Sequence, residues 1–430
     1  MVCIRLYGIH GVSDMSQFLK VKSVDEVLEI LRGLEPLDDE EVGLDAACGR
    51  VTSQDVRAPE PLPHFARSVM DGYAVKARDT FGASETLPAL LEVSGEILMG
   101  KPADRKLEPG KTMAIPTGGM LPGGADAVAM VEYTSSVDEH TIEVNKPVAP
   151  GDNVLGVGED IPEGAVVFAA GRRLRPQDIG VLAALGIPSV RVRRVPRVAI
   201  LSTGDEIVPV STSPVPDGKI RDINSFSLAA QVRQAGGIVG MSAVAGDNLE
   251  ELVFACRAAL ESHDVLLLSG GSSVGARDFT VRVLELLPDS ELVVHGVAIR
   301  PGKPTILGLV GKKVFWGLPG QPVSSMMVSR VFVLPTLAIL QGMTGGGAEE
   351  GATCRAVLGR KIPSVHGRTD YFPVTLSRDG DETVATPIFG KSAMISVLAR
   401  ADGYVIVPER VEGIDGGTTV EVHLFSRWNG

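Results

Sequence analysis

Between Arg197 and about Gly342, short apolar runs alternate with longer amphipathic stretches, and this rhythm restricts the fold more than any other feature of the chain. Val198-Ala199-Ile200-Leu201 and Val265-Leu266-Leu267-Leu268 offer no polar residue to either side of a pleat, so each reads as a strand buried on both faces. Further strands are expected at Ile238 to Val244, Leu292 to Ile299 and Val314 to Leu318. Helices are expected over Asn224 to Gln234, Leu249 to Ser262, Phe279 to Leu287 and Val323 to Leu340. Asn224 should cap the first of these and Gly236-Gly237 should end it. Strands alternating with helices imply a doubly wound, mainly parallel sheet.

The flanking segments follow other rules. Ser23 and Glu26 have capping-box spacing ahead of a helix marked by Val24, Val27, Leu28 and Leu31, whereas residues 1–19 show no period and are expected to be dispensable. A short helix is expected over Leu44 to Gly49 and another over Pro176 to Leu185. Residues 55–150 carry Pro, Gly and short alternating runs and read as a small β domain; residues 350–430 read as a second one. With 430 residues, about two to four domains follow.

Composition narrows the function classes. Lys and Arg number 41 against 53 Asp and Glu, a net charge of −12, which repels nucleic acid and anionic membranes as a whole. Any polyanionic ligand must then be met by a local basic pocket, backbone N–H groups or a metal. Seven arginines between Arg172 and Arg197 read better as a solvated strand face, because Arg191 and Arg193 alternate with Val190 and Val192. No apolar run approaches the ~18 residues of a membrane span, and no signal-peptide core opens the sequence. Four cysteines without a CxxC pair and seven histidines without HxH or HExxH argue against structural zinc and for a reduced, cytoplasmic compartment.

Unusual loops follow five of the expected strands: Ser202 to Glu206, Ala245 to Asn248, Ser269 to Asp278, Arg300 to Pro304 and Pro319 to Pro322. In an open α/β sheet such loops face one crevice, where ligands bind. Ser269, Gly270, Gly271 and Ser273 lie between a buried strand and a helix, a place where backbone N–H groups can cradle a phosphate or oxyanion. Arg300 and Lys303, stiffened by Pro301 and Pro304, supply positive charge. Glu206, Asp247 and Asp278 bring three carboxylates to the same rim; together they call for a divalent cation, Mg²⁺ by its oxygen ligands, although each alone could cap a helix. A second group of motifs, Arg67 to Ala74 with Asp71, Pro116 to Pro122 with Thr117, and Gly158-Glu159-Asp160, could equally be ordinary turns.

At Ser68 to Ala74, Pro116 to Gly119, Gly158 to Asp160, Ser202 to Glu206, Ser269 to Asp278, Pro301 to Pro304 and Gly317 to Pro322 the chain resembles the molybdopterin molybdenumtransferases, the MoeA and gephyrin E-domain family. The resemblance implies a multidomain α/β plus β protein: a split linker domain (20–57 and 150–192), a β domain (58–149), the doubly wound α/β domain (193–343) and a C-terminal β barrel (344–430). It further implies a homodimer that inserts molybdate into adenylylated molybdopterin and releases AMP with a divalent cation, and that works beside a molybdopterin adenylyltransferase. Carried over by position, Asp71, Glu206, Asp247, Asp278 and Lys303 are the expected catalytic residues, with Glu206, Asp247 and Asp278 as metal ligands. Thr117, Asp160, Ser269, Gly270, Gly271, Ser273, Arg300, Pro319 and Pro322 are expected to bind substrate. A non-catalytic molybdopterin-binding or scaffold paralogue, or an enzyme preferring tungstate, is the alternative. Leu155-Gly156-Val157 stand where the family is often basic, Arg300 where it often has Lys and Gln321 where it often has Asn.

Overall fold

The computed structural model describes residues 21–270, 274–344, 352–426 and 428, without the side chains of 274–278. The expected oxyanion-loop residues Gly271 and Ser273, the Asp278 carboxylate and the extension at 1–19 therefore lie outside the described residues. The chain forms two compact units, one of Glu41–Cys48 and Gln54–Arg191, the other of the remaining residues.

The first unit is built on six strands: β1 (Gly72–Val75), β2 (Ala89–Glu96), β3 (Lys111–Ile115), β4 (Ala127–Met130), β5 (Thr134–Ser136) and β6 (Thr141–Val144). They form one sheet in the order β4-β1-β3-β2-β6-β5. Gly72 belongs to this sheet: a Cβ there would overlap the carbonyl oxygen of Ala129 on β4, so only glycine lets the strands approach. The Asp71-Gly72 pair thus opens a strand. In the helix Pro176–Ala184 the buried Asp178 accepts hydrogen bonds from Arg172 (Nη2, 2.8 Å) and Arg175 (Nη2, 3.2 Å). Part of the arginine run is thereby absorbed in structure.

The second unit contains a six-stranded α/β sheet. Its strands are β7 (Arg197–Thr203), β8 (Ile238–Ala245), β9 (Val265–Gly270), β10 (Ser290–His295), β11 (Ile306–Val310) and β12 (Lys313–Leu318), ordered β8-β7-β9-β12-β11-β10. The strands β8, β7, β9 and β12 are parallel; β11 runs antiparallel to both of its neighbours, β12 and β10. Alternation explains the continuous apolar runs. Val198, Ile200, Val265, Leu267 and Trp316 face one core with the helices Val24–Arg32, Asn224–Gln234 and Pro322–Leu340. Ala199, Leu201, Leu266, Leu268 and Phe315 face the other core with the helix Leu249–Ser262. Trp316 is fully buried and stacks on Phe332 at 5.8 Å.

Five further strands, β13 (Thr353–Leu358), β14 (Thr369–Asp379), β15 (Glu382–Pro387), β16 (Gly403–Val407) and β17 (Thr419–Leu424), pair in the order β14-β15-β13-β17-β16. Pairing of β16 with β14 closes them into a barrel.

Four expectations change. Strand β11 was not anticipated. The strand expected over Leu292 to Ile299 is broken at Gly296 (φ +89°); its end, Ile299–Arg300, leaves the α/β sheet and pairs in parallel with Thr369 and Asp370 of β14. Asn224 is the first helical residue, not the cap: the Asp222 carboxylate accepts from the Ser225 N–H at 3.1 Å, which frees the Asn224 amide. Among the described residues one helix, Pro322–Leu340, does reach the length and apolar character of a membrane span, at 19 residues, but 78% of that stretch is buried in the protein core.

Burial alone would raise the Asp178 pKa, and the hydrogen bonds from Arg172 and Arg175 outweigh it, holding the carboxyl well below its ordinary value. A depressed folded-state pKa stabilises above the unfolded value and is lost as pH falls through the folded one. Asp178→Asn is expected to cost on the order of 2 kcal/mol at neutral pH. In urea denaturation the gap between wild type and variant should stay constant down to about pH 4 and shrink below it; a gap that widens in acid would refute the assignment.

Candidate functional site

The chain order β7, β8, β9 places β8 on one side of β7 and β9 on the other, so the topology reverses between β7 and β9. Loops leaving two such strands part in opposite directions and open a crevice at their carboxyl ends. What stands there is polar. Thr203, the last residue of β7, donates its hydroxyl to Asp247 Oδ1 at 2.7 Å, and the Asp247 N–H donates to Asp205 Oδ1 at 3.2 Å. Glu206 follows in the same loop as Asp205, and its carboxylate folds back over Gly204. Three carboxylates, Asp205, Glu206 and Asp247, therefore stand on the loops after β7 and β8. Sequence reasoning had named only the last two.

Close packing sets this geometry. A Cβ on Gly270 would overlap both Cγ2 and the carbonyl oxygen of Thr203, so β9 can lie against β7 at this level only as glycine. Ser269, buried one residue earlier, accepts from Asn224 Nδ2 at 2.7 Å, and the same Nδ2 reaches the carbonyl of Gly320 at 2.9 Å. One amide thus ties the end of β9 to the Pro319–Pro322 loop. The Asn224 Oδ1 atom is buried and has no hydrogen-bond partner among the described residues.

The other two loops do not share that crevice's acids. Arg300 to Pro304, Pro319 and Gln321 line an open cavity of about 1080 Å³ together with barrel residues His366, Arg368 and Lys391. The loop is held by backbone bonds from Val297 N–H to the Lys303 carbonyl (3.0 Å) and from Gly296 N–H to the Thr305 carbonyl (2.9 Å). Pro322 opens the long apolar helix, and Ser324 in its first turn faces the cavity. Arg300, Lys303, Arg368 and Lys391 are four cationic side chains, and among the described residues no carboxylate lines the cavity. In a chain of net charge −12 this is the local basic pocket that a polyanionic ligand requires. His366, Arg368 and Lys391 were not foreseen, because nothing in the β tail marks them before the pairing of Ile299–Arg300 with β14 is known.

In the first unit, Asp71 Oδ1 accepts from the Thr117 N–H (2.7 Å) and from the Thr117 hydroxyl (3.0 Å). The backbone bond first and the hydroxyl second hold the Asp71 carboxyl below its ordinary pKa, so it is an anion at neutral pH. Asp160 sits after Gly158 (φ +68°), its N–H bonded to the Leu62 carbonyl at 3.1 Å. Leu155 pairs with Arg67 across a short antiparallel ladder, and Val157 is exposed.

The crevice acids offer only oxygen donors, which suits a hard divalent cation. Among the described residues no three His, Cys, Asp or Glu side chains form a group that could hold a metal. Of the expected triad, Glu206 and Asp247 are described, and the Asp278 carboxylate lies outside the described residues.

Gly270→Ala should force the end of β9 away from Thr203 on β7 by overpacking the two strand ends, at about 1–3 kcal/mol of stability. Chemical denaturation is the measurement, and an unchanged midpoint would show that the strands separate freely.

Comparison with known proteins covers nearly the whole chain. Residues 22–186 match the family described as the MoeA N-terminal region (domain I and II), residues 199–339 a probable molybdopterin binding domain, and residues 355–425 the MoeA C-terminal region (domain IV). The molybdopterin molybdenumtransferase of Bacillus subtilis is 32% identical over 397 residues, 91% of this chain and 91% of that protein. That of Haemophilus influenzae is 32% identical over 91% of this chain and 95% of its own length. The crystal structure of a molybdopterin biosynthesis MoeA protein from Pyrococcus horikoshii superposes with a TM-score of 0.81 at 32% identity, covering 94% of this chain and 100% of that one.

Proposed function

We propose, because this chain belongs to the MoeA family of molybdopterin molybdenumtransferases, that it inserts molybdate into adenylylated molybdopterin and releases AMP. The protein is a transferase of molybdenum cofactor biosynthesis. The finer reading, with its substrate form and its leaving group, is supported above all by one observation: Asp247 is held by Thr203 at the switch point, where β7 lies against the Ser269-Gly270 end of β9.

Two chemical tasks must be met. AMP release breaks a phosphoanhydride: an oxygen nucleophile bonds to phosphorus, and the departing phosphate keeps the bridging oxygen with its electron pair. Insertion exchanges oxygen ligands of molybdate for the two dithiolene sulfurs of the pterin. Both tasks gather negative charge, so the protein must offset it without hydrolysing the wrong bond.

Glu206 and Asp247, with Asp278 in the family's position, would hold a divalent cation. When bound, that ion neutralises phosphate oxygens and makes phosphorus more electrophilic. Lys303 and Arg300 bring fixed positive charge from the cavity side. Ser269 and Gly270, at the end of β9, lead into the family's oxyanion loop, and Asn224 keeps this strand end in register with the Pro319–Pro322 loop. Asp71 belongs to the same reading as a catalytic residue, and Thr117 and Asp160 as substrate contacts. A homodimer, supply of the adenylylated substrate by an adenylyltransferase, and a cytoplasmic location complete it, as does the four-domain division at 57/58, 149/150, 192/193 and 343/344. The absence of a CxxC pair supports the location.

Asp247→Ala should lower AMP release by roughly 10²–10⁴-fold while the protein keeps its fold. The assay mixes purified protein, adenylylated molybdopterin, molybdate and Mg²⁺, and follows AMP by chromatography and bound molybdenum by mass spectrometry. Wild-type turnover in this variant would remove Asp247 from the reaction, and no turnover in wild type would favour a binding paralogue.

A further inference from the structure

Asp370, in β14, has no exposed surface, yet it serves three side chains. Arg368 donates from Nε at 2.8 Å and from Nη2 at 3.4 Å, Ser364 donates its hydroxyl at 3.0 Å, and Arg300 Nη1 lies 3.5 Å away. A buried carboxylate is costly unless partners satisfy it, and these partners do. Their own side chains are 52% (Arg300) and 34% (Arg368) exposed, so the anion is inside and both guanidiniums look outward. They look into the cavity described above, which both line and which Asp370 itself does not.

The charge count there is uneven. One carboxylate faces two guanidiniums, and Lys303 and Lys391 add two ammonium groups with no ion-pair partner among the described residues. The Arg300 guanidinium also lies 5.7 Å from the centroid of the Phe372 ring, which restricts it from a second side. Orientation matters for a guanidinium in a way it does not for an ammonium, because its donors form a fixed fork that matches two oxygens of a tetrahedral anion.

We infer that Asp370 is a positioning residue: it holds Arg300 and Arg368 as a two-guanidinium clamp for a tetrahedral, multiply charged oxyanion in this cavity. The inference rests on the proposed function, in which molybdate is such an anion; a phosphate group of the pterin substrate shares its chemistry. Two accounts of Asp370 differ in sign. If it merely offsets charge, removing its charge strengthens the cavity's pull on anions. If it orients the forks, removing it lets both guanidiniums swing and weakens binding.

The test is equilibrium dialysis of the full chain with molybdate and, separately, with inorganic phosphate, on wild type, Asp370→Asn and Arg368→Lys. The expected result is molybdate binding about tenfold weaker in Asp370→Asn. Arg368→Lys, which keeps the charge and loses the fork, should weaken it as well. In the AMP-release assay KM for molybdate should rise in Asp370→Asn while kcat at saturating molybdate holds. Unchanged or tighter molybdate binding in Asp370→Asn overturns the clamp. Should that variant fail to fold, Arg368→Lys with unchanged binding overturns it instead. Tighter binding of phosphate than of molybdate, lost in the same variants, assigns the clamp to the phosphorylated pterin; the reverse order assigns it to molybdate. Dialysis uses no pterin, so Asp370-dependent binding without any AMP release sinks the reaction and leaves the clamp standing. AMP release with KM unchanged in Asp370→Asn sinks the clamp alone.

Discussion

Burial of β7 and β9 on both faces is the constraint from which the rest of the site follows. Val198 to Leu201 and Val265 to Leu268 have essentially no exposed surface, so neither strand can carry a polar side chain along its length. Polar groups are confined to the strand ends, where Ser202, Thr203 and Ser269 stand buried but hydrogen-bonded. The carboxyl ends are the free ones, since a parallel sheet sends its loops to one side there. Gly270 then fixes how closely the two ends meet, and through Thr203 that spacing fixes where the Asp247 carboxylate stands.

Charge is sorted by position in this unit. Acids occupy the loops after β7 and β8, at one side of the sheet; cations occupy the cavity lined by the Arg300–Pro304 loop and the barrel. Mixing the two sets would neutralise both, and an anion would then gain nothing from entering. Among the described residues, the carboxylate that approaches the cations, Asp370, is withdrawn beneath the surface. Opposite charges a few ångströms apart interact strongly in a protein environment, so this separation keeps the basic groups available.

Much of this was legible in the sequence because it rests on local chemistry. The runs at 198–201 and 265–268 announce doubly buried strands, the Ser23–Glu26 box forms as expected (Glu26 N–H to Ser23 Oγ, 3.1 Å), and the acids after β7 and β8 are visible as loop residues. What stayed hidden depends on tertiary pairing. Ile299–Arg300 looks like the end of one strand, yet the turn at Gly296 hands it to the barrel and brings Arg300 beside Asp370, 70 residues away. Strand β11 was missed because Ile306 to Val310 has a glycine at its centre, Gly308, which lowers strand propensity; the tight approach of Leu284 is what makes glycine necessary there. Asn224 carried a cap's signature, and only the structure shows Asp222 taking that role. The Asp71–Thr117 bond joins residues 46 apart, a contact that motif order suggests and local periodicity does not.

The two charge regions are linked mechanically by a single side chain. Asn224 Nδ2 donates to Ser269 at the end of β9 and to Gly320 between Pro319 and Pro322, with one donor atom serving both loops. Asparagine suits this place better than aspartate, whose charge would face two acceptors and repel them, or alanine, which would leave the buried Ser269 hydroxyl and Gly320 carbonyl without that donor. The cap supplied by Asp222 makes this possible, because a capping Asn would have its side chain turned to the helix backbone instead. Asn224 Oδ1 is buried and has no partner among the described residues. The 319–322 loop, two of whose residues line the basic cavity, is held through Asn224 Nδ2 in register with the end of β9 and with the acids beside it.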